Sequence, residues 1–161
     1  FIKAWKKMRE DGKFGEILYA ESEYLHAIHP DEIKPYEPES HWRRYNPAIT
    51  YLTHNLGPLL YIMDDNVVSV SCMAPDAAKY NPYSKSDENG IAIFKTAKGA
   101  VIRIFIGFGM YVGYDHNFAL YGKKCINTFE PSNGGSGIKL NTPKPILITI
   151  LSNFGTCITD V

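Results

Sequence analysis

The sequence predicts an α+β domain, built as an open, mainly antiparallel (mixed) β-sheet with helices packed on one face. A segment with helical spacing comes first, and a strand with alternating polarity follows it. Short β-like runs separated by Gly, Pro, Asn and Asp fill much of the second half of the chain. This order of elements is typical of the α+β class, and 161 residues suit one such domain.

The first predicted element is an amphipathic helix over residues 1–12. Its apolar positions recur at helical spacing, and Gly12 is placed to end it. Those apolar positions are Phe1, Ala4, Trp5 and Met8. The helix begins without a capping residue, so we expect the chain to start within a longer natural sequence.

The run over residues 14–25 alternates apolar and polar residues and therefore predicts a strand. Alternation places Tyr24 on the same face as Ala20 and Ser22, with His26 just beyond the strand on that face. Residues 27–47 carry four prolines and many charges, which is typical of a long surface loop. Loops of this length often carry function.

An apolar run over residues 49–63 is long enough for a helix, but Gly57 and Pro58 interrupt it. Because proline fits a helix only in its first turn or at a kink, we expect the helix to begin near Asn55 or to bend at Pro58. Residues 64–66 then form a turn. Further strands are predicted over residues 67–73, 90–96, 100–108, 117–121, 125–129 and 139–149, with a tight hairpin turn at residues 97–99.

Composition and charge exclude several kinds of partner. The 17 Lys and Arg residues balance the 17 Asp and Glu residues, so no net field draws in nucleic acid or an anionic membrane. No run approaches the ~20 apolar residues that span a bilayer. The widely spaced Cys72, Cys125 and Cys157 are interpreted as reduced, mostly buried thiols, which favours a cytoplasmic location.

Three polar clusters lie in the first third of the chain. Tyr24 and His26 share one face of the first strand, so both can touch one ligand. Trp42 and Arg43 lie in the long loop, and His54 lies at the head of the apolar helix. An imidazole at a helix N-terminus can act as a general acid or base, or it can polarise a substrate oxygen.

Each cluster also has a purely structural interpretation. His54 can satisfy backbone groups where the proline breaks the helical hydrogen bonds, and Tyr24 with His26 can be a half-exposed strand pair. Trp42 can anchor the loop through one buried ring, or it can stack on a sugar while Arg43 binds a carboxylate.

Other kinds of site find little support in the sequence. His26, His29 and Asp31 could form a partial metal site, but the spacings typical of zinc are absent. No P-loop motif occurs, and Gly107 and Gly109 lack the third glycine and the following helix of a dinucleotide-binding turn. No serine lies in a G-x-S-x-G elbow, so a hydrolytic triad has no support.

Four motifs follow one another along the chain. They are D-G-K-F-G-E-I at residues 11–17, Tyr24-x-His26, Trp42-Arg43, and Y-x-T-H-N-L-G-P at residues 51–58. Together they resemble the C-terminal domain of the Gfo/Idh/MocA oxidoreductase family, over residues 1–129. The sequence is most similar to the branch that contains the NAD-dependent glycoside hydrolases of family 109.

The resemblance implies a two-domain enzyme in which an N-terminal Rossmann domain, absent from this chain, binds NAD or NADP. Residues 1–161 are then the domain that binds a sugar or related polyol and forms homo-oligomers through its sheet. The implied catalytic residues are His54, Tyr24 and His26, and the implied substrate-binding residues are Trp42, Arg43, Tyr51, Thr53 and Asn55. Without the Rossmann half, the chain alone is expected to be inactive.

One position departs from the family pattern. Most oxidoreductases of the family carry an Asp four residues before the histidine, and this sequence has Thr50 there. The departure favours the glycosidase-like branch, in which hydride is removed and returned within one turnover while the sugar is cleaved. Two rival functions stay open: a non-catalytic binding or self-association domain, and a metal-dependent hydrolase.

Overall fold

The computed structural model describes residues 1–26, 39–76, 81–110, 114–132 and 135–141. The helices and strands in these ranges are α1 (Ile2–Glu10), β1 (Ile17–Leu25), α2 (Thr53–Met63), β2 (Val67–Met73), β3 (Asn89–Thr96), β4 (Val101–Gly107), β5 (Asp115–Gly122), β6 (Ile126–Ser132) and β7 (Gly135–Asn141). Two short 3-10 turns, Trp42–Arg44 and Ala48–Leu52, precede α2.

The described strands form one sheet in the order β2-β3-β4-β1-β5-β6-β7. Strands β1 and β4 are parallel, and the other neighbouring pairs are antiparallel. Both helices pack on the same face of this sheet, where their buried side chains meet those of the central strands. The predicted α+β class and the open, mainly antiparallel sheet are therefore confirmed.

Helix α1 buries one side of an amphipathic segment. Trp5 is fully buried, and its ring lies edge-on to those of Phe1 and Phe14. Ala4 is exposed, contrary to expectation, because the buried stripe runs through Phe1, Trp5 and Met8. After the helix, Gly12 takes a positive φ of 66°, which suits glycine and ends the helix where the sequence predicts.

Strand β1 occupies the centre of the sheet, between β4 and β5. Its alternation is as predicted from Ala20 onwards: Ala20, Ser22 and Tyr24 face the helices, and the residues between them face the opposite side. Leu18, predicted on the same face as Tyr24, is instead 47% exposed, because the pairing with β5 shifts register between Ile17 and Tyr19. Because β1 and β4 are parallel, their carboxyl ends lie side by side, and the His26 N–H donates to the Gly107 carbonyl oxygen at 2.9 Å. The candidate site lies at these carboxyl ends.

Helix α2 begins at Thr53, two residues before the predicted start. The 3-10 turn at Ala48–Leu52 leads directly into it, so Pro58 lies inside the helix and has no N–H for the His54 carbonyl. The helix tolerates this lost hydrogen bond because Leu59, Ile62 and Met63 are buried in the core and hold it against the sheet. It ends at Asp64, which takes a left-handed conformation with φ of 54°.

The central strands supply the apolar layer against which the helices pack. Ile102, Ile104 and Ile106 alternate along β4 and are fully buried, each contributing about 1.5–3 kcal/mol by its removal from water. The predicted hairpin between β3 and β4 is confirmed, with Gly99 at a φ of 95°. The weakly predicted strand at residues 139–149 meets β7 only at its start, and its remainder lies outside the described residues.

The expectation that the cysteines are mostly buried is wrong for Cys72. Its thiol is exposed, because β2 is the edge strand and exposes six of its seven residues. Cys125 is half-buried, and burial raises the pKa of its thiol. Cys157 lies outside the described residues, and the cytoplasmic location inferred from the cysteines stays a prediction.

Candidate functional site

A cluster of aromatic and imidazole rings lies at the carboxyl ends of β1 and β4. Tyr24 is at its centre, with the ring centres of His54, His26 and Tyr51 at 5.6, 6.0 and 6.3 Å. Tyr51 also lies nearly parallel to His54, with ring centres 5.5 Å apart. The structure thus brings together four side chains that the sequence singles out; their roles stay predictions.

The position of His54 assigns one of its two ring nitrogens. Nδ1 lies 3.2 Å from the carbonyl oxygen of Tyr51. A carbonyl oxygen can only accept a hydrogen bond, so Nδ1 carries the proton in the neutral imidazole and Nε2 has the free lone pair. One nitrogen thus bonds a backbone carbonyl, although not the His54 carbonyl that Pro58 leaves without a partner in the helix, and the other can still act on a ligand.

Tyr24 is held as a neutral phenol beside His26. Its hydroxyl lies 3.5 Å from His26 Nδ1. Burial raises the pKa of Tyr24, and the nearby phenols of Tyr114 and Tyr51 raise it further, while the Arg43 charge opposes them. Because its pKa lies above the ordinary value of about 10, Tyr24 keeps its proton near neutral pH and can donate a hydrogen bond.

Trp42 and Arg43 form the exposed rim of the cluster. The Trp42 ring is 55% exposed, so the interpretation of a loop anchored by this ring is wrong. The Arg43 guanidinium stacks over Trp42 at 4.5 Å, and its Nη1 donates to the Tyr51 hydroxyl. The anchor is instead the next residue, Arg44, which is buried and donates to the Tyr83 carbonyl oxygen at 3.0 Å.

Thr53 and Asn55, both expected to bind substrate, differ in accessibility. Thr53 is exposed at the start of α2. Asn55 is fully buried, and its amide donates to the Ser22 hydroxyl at 2.5 Å. A ligand at the rim does not reach Asn55 in this structure, because α2 turns that side chain towards the core. Its Oδ1 atom has no hydrogen-bond partner among the described residues.

Three further rings of the cluster are not predicted from the sequence: those of Phe108, Tyr114 and His116. The rings of Tyr114 and His116 stand at right angles to that of Tyr24, with centres 5.8 and 4.9 Å away. Phe108 is edge-on to Tyr51 at 5.0 Å. The alternation of His116 with the buried Phe118 could have revealed its orientation, had the predicted strand been started two residues earlier.

His116 adds a third imidazole to the cluster, after those of His26 and His54. It lines, with His54, Tyr114 and Pro58, a cavity of about 320 Å³ beside the amino end of α1. Its Nε2 is buried without a hydrogen-bond partner among the described residues. Burial lowers the pKa of His116 and the neighbouring His54 lowers it further, although the Asp115 carboxylate opposes both effects.

The described residues do not form a dinucleotide cradle. Such a cradle needs a strand, a glycine-rich turn and a helix in succession, whereas α1 precedes the first described strand and α2 follows a 3-10 turn. No group of three His, Cys, Asp or Glu side chains suited to a metal occurs in this part of the chain. His29 and Asp31, named for a partial metal site, lie outside it.

A comparison against protein families assigns the chain to one of them. The model of the GFO/IDH/MocA C-terminal domain matches residues 2–126. This chain belongs to that family. The resemblance drawn from the four sequence motifs is therefore confirmed. Neither helix in the described ranges is long and apolar enough to cross a membrane.

Two curated relatives are similar over most of the chain. Inositol 2-dehydrogenase from Serratia proteamaculans is 33% identical over 145 residues, which cover 87% of this chain and 40% of that protein. Glycosyl hydrolase family 109 protein 3 from Phocaeicola vulgatus is 28% identical over 151 residues, which cover 78% of this chain and 28% of that protein. The chain thus spans less than half the length of either relative.

The fold is also found in solved structures. The WlbA dehydrogenase from Bordetella pertussis, solved in complex with NADH and UDP-GlcNAcA, aligns with a TM-score of 0.67. The alignment covers 89% of this chain and 44% of that chain, at 19% sequence identity. At this identity the likeness shows a shared fold.

Proposed function

We propose that this chain is the substrate-binding half of an NAD(P)-dependent oxidoreductase, or of an NAD-dependent glycosidase, that acts on a sugar or related polyol. The proposal rests on the convergence of the Tyr24, His26 and His54 rings at the carboxyl ends of β1 and β4. Flat rings pack against the C–H faces of a sugar, and their polar edges bind its hydroxyls. The similarity to an inositol dehydrogenase supports a polyhydroxylated substrate.

In this proposal His54 is the general base. Its Nε2 takes the proton from the reacting hydroxyl, because Nδ1 is already committed to the Tyr51 carbonyl oxygen. Tyr24 donates a hydrogen bond to the same substrate oxygen, and His26 fixes the direction of the phenol through its contact with the hydroxyl. Trp42 and Arg43 bind the far end of the substrate at the exposed rim.

Hydride transfer is the chemistry that a nicotinamide cofactor supplies in such enzymes. Since the described residues form no cradle for it, we place the cofactor mainly on polypeptide outside this chain, and we expect the chain alone not to turn over substrate. The choice between the two enzyme classes is testable with the complete protein. Given NAD+ and a polyol, an oxidoreductase accumulates NADH. Given NAD+ and a glycoside, a glycosidase of this type releases the aglycone of the glycoside without net change in NADH.

We propose homo-oligomerisation through the sheet face that the helices leave uncovered. That face carries Ile93 and Met73, which are 50% and 68% exposed. At its centre Arg103 bridges Glu21 and Glu23 at 3.2 and 2.8 Å. One of the two carboxylate charges is thus already balanced, which lowers the cost of burying these groups. This surface suits a second copy whether or not the chain contributes to catalysis, and it supports the self-association rival equally well.

His54→Gln in the complete protein separates the enzyme from the self-association rival. Loss of a general base is expected to lower kcat by about 100-fold or more while the protein stays folded and assembled. Tyr61→Gln is the matched control, since Tyr61 lies on the same helix but is exposed away from the ring cluster. Normal turnover by His54→Gln would show that the catalytic assignment is wrong.

A further inference from the structure

The geometry points to an acidic substrate: we infer that the sugar or polyol bound here carries a carboxylate, and that Arg43 binds it. The inference rests on the proposed function, because it names the chemistry of the substrate at the same site. The evidence comes from the partners of one guanidinium group and from its position relative to His54.

Arg43 presents unused hydrogen-bond donors at the rim. Its side chain is exposed, and among the described residues its recorded hydrogen bond is the one from Nη1 to the Tyr51 hydroxyl. A guanidinium has five N–H donors in a planar fork that matches a carboxylate. Stacking over Trp42 at 4.5 Å fixes the plane of the fork before a ligand arrives.

Other arginines of the chain have different partners. Arg9 lies 3.7 Å from the Asp64 carboxylate, and Arg103 bridges two glutamates. Arg44 is buried and donates to a backbone carbonyl. Within the described ranges Arg43 has no carboxylate partner. It is therefore the arginine of the described residues best placed to bind an anion from outside.

The surroundings of Arg43 favour negative charge on the ligand. The first turn of α2 contains no acidic residue. Two carboxylates of other elements are engaged elsewhere: Glu88 accepts from the Asn81 N–H at 2.8 Å, and Asp115 accepts from the Asn117 amide at 3.4 Å. The positive charge at the rim is therefore that of the Arg43 guanidinium itself.

The separation of Arg43 from His54 suits one small molecule. The guanidinium carbon is 5.7 Å from the centre of the Tyr51 ring, which is 5.5 Å from the centre of the His54 ring. A carboxylate held by Arg43 leaves the body of a sugar lying across Tyr51, with a hydroxyl directed towards His54. A uronic acid or an aldonic acid has this arrangement of groups.

Equilibrium binding of D-glucuronate and D-glucose to the chain tests the inference. The wild-type chain is expected to bind glucuronate at least about tenfold more tightly than glucose, with the preference falling as salt is added. Arg43→Gln should remove the preference, so that glucuronate and glucose bind with affinities within about twofold of each other. Arg43→Lys should keep part of it, because an ammonium keeps the charge but lacks the fork.

Lys13→Gln is the matched control, since it removes one exposed positive charge before the opposite end of β1 and should leave the preference intact. Equal binding of the two sugars, or a preference kept by Arg43→Gln, would overturn the carboxylate assignment and leave the proposed function standing. Failure of the wild-type chain to bind either sugar would overturn both.

Discussion

Replacing Ser22 with Ala should weaken the fold at the point where three parts of the site are joined. The Ser22 hydroxyl donates to the Asn117 carbonyl oxygen at 2.6 Å and accepts from the Asn55 amide at 2.5 Å. Ser22 precedes Tyr24 by two residues on β1, Asn55 follows His54 on α2, and Asn117 follows His116 on β5. One hydroxyl thus ties together the elements that carry three of the site's rings.

The expected loss follows from the burial of this hydrogen-bond chain. Ser22 and Asn55 are both fully buried. Each lost hydrogen bond costs about 1 kcal/mol, and the Asn55 amide left without an acceptor adds about 1–3 kcal/mol. We therefore expect Ser22→Ala to lower the free energy of unfolding by about 3–5 kcal/mol, a large part of the ~5–15 kcal/mol typical of a domain.

Urea unfolding of the purified chain measures this loss. Ser71→Ala, on the exposed strand β2, is the control and should change stability by less than about 0.5 kcal/mol. Asn55→Leu removes both the amide and its unpartnered oxygen, so adding it to Ser22→Ala should cost less than the two single losses combined. A loss below about 1 kcal/mol for Ser22→Ala, together with additive single and double variants, would refute the reasoning.

Three further predictions concern the ring cluster and the uncovered sheet face. Burial and the His54 charge lower the pKa of His116. As the pH falls, the unfolded chain therefore binds a proton at this residue at a higher pH than the folded chain does. The free energy of unfolding should decrease as the pH drops below about 6.5, and His116→Asn should lose that part of the pH dependence. A His116 pKa above the ordinary range in an NMR titration would contradict this. Tyr24→Phe keeps the ring contacts but removes the hydroxyl, so kcat of the complete protein should fall about 100-fold while Tyr61→Phe has no effect; unchanged kinetics in Tyr24→Phe would exclude the phenol as a donor. Ile93→Glu places a charge on the uncovered face and should reduce the mass measured by light scattering to that of a monomer, unlike Tyr61→Glu on the helical side; an unaltered mass would place the interface elsewhere.

The fold was predictable from the sequence where periodicity is strong. Alternation in β1 correctly places Tyr24 on the same face as Ala20 and Ser22, because successive side chains of a strand point to opposite faces. The amphipathic segment of α1 and the glycine after it likewise give the right helix. These features depend on neighbouring residues alone, so a single sequence contains the information.

Errors arose where tertiary contacts decide the outcome. Asn55 looks like a ligand-binding residue beside His54, but adjacent positions of a helix point in different directions, and α2 directs this one to Ser22. Cys72 lies in an apolar run, yet its strand falls at the sheet edge, where neither described helix covers it. The order of strands in a sheet cannot be predicted from the local alternation of apolar and polar residues.

The ring cluster itself was only partly predictable. Tyr24 and His26 are close in sequence, and His54 and Tyr51 share one turn, so each pair is visible locally. Their meeting, and the addition of Tyr114 and His116, depends on β5 pairing with β1, about 90 residues away along the chain. The family resemblance identified Tyr24, His26, Tyr51 and His54, and the structure showed that they meet and that Tyr114 and His116 join them.

The most direct test of the site is the position of a bound ligand. A crystal structure of the chain with myo-inositol or D-glucuronate should show a hydroxyl within hydrogen-bond distance of both His54 Nε2 and the Tyr24 hydroxyl. A ligand seated on the uncovered sheet face, or at the rim without contact to either group, would contradict the account.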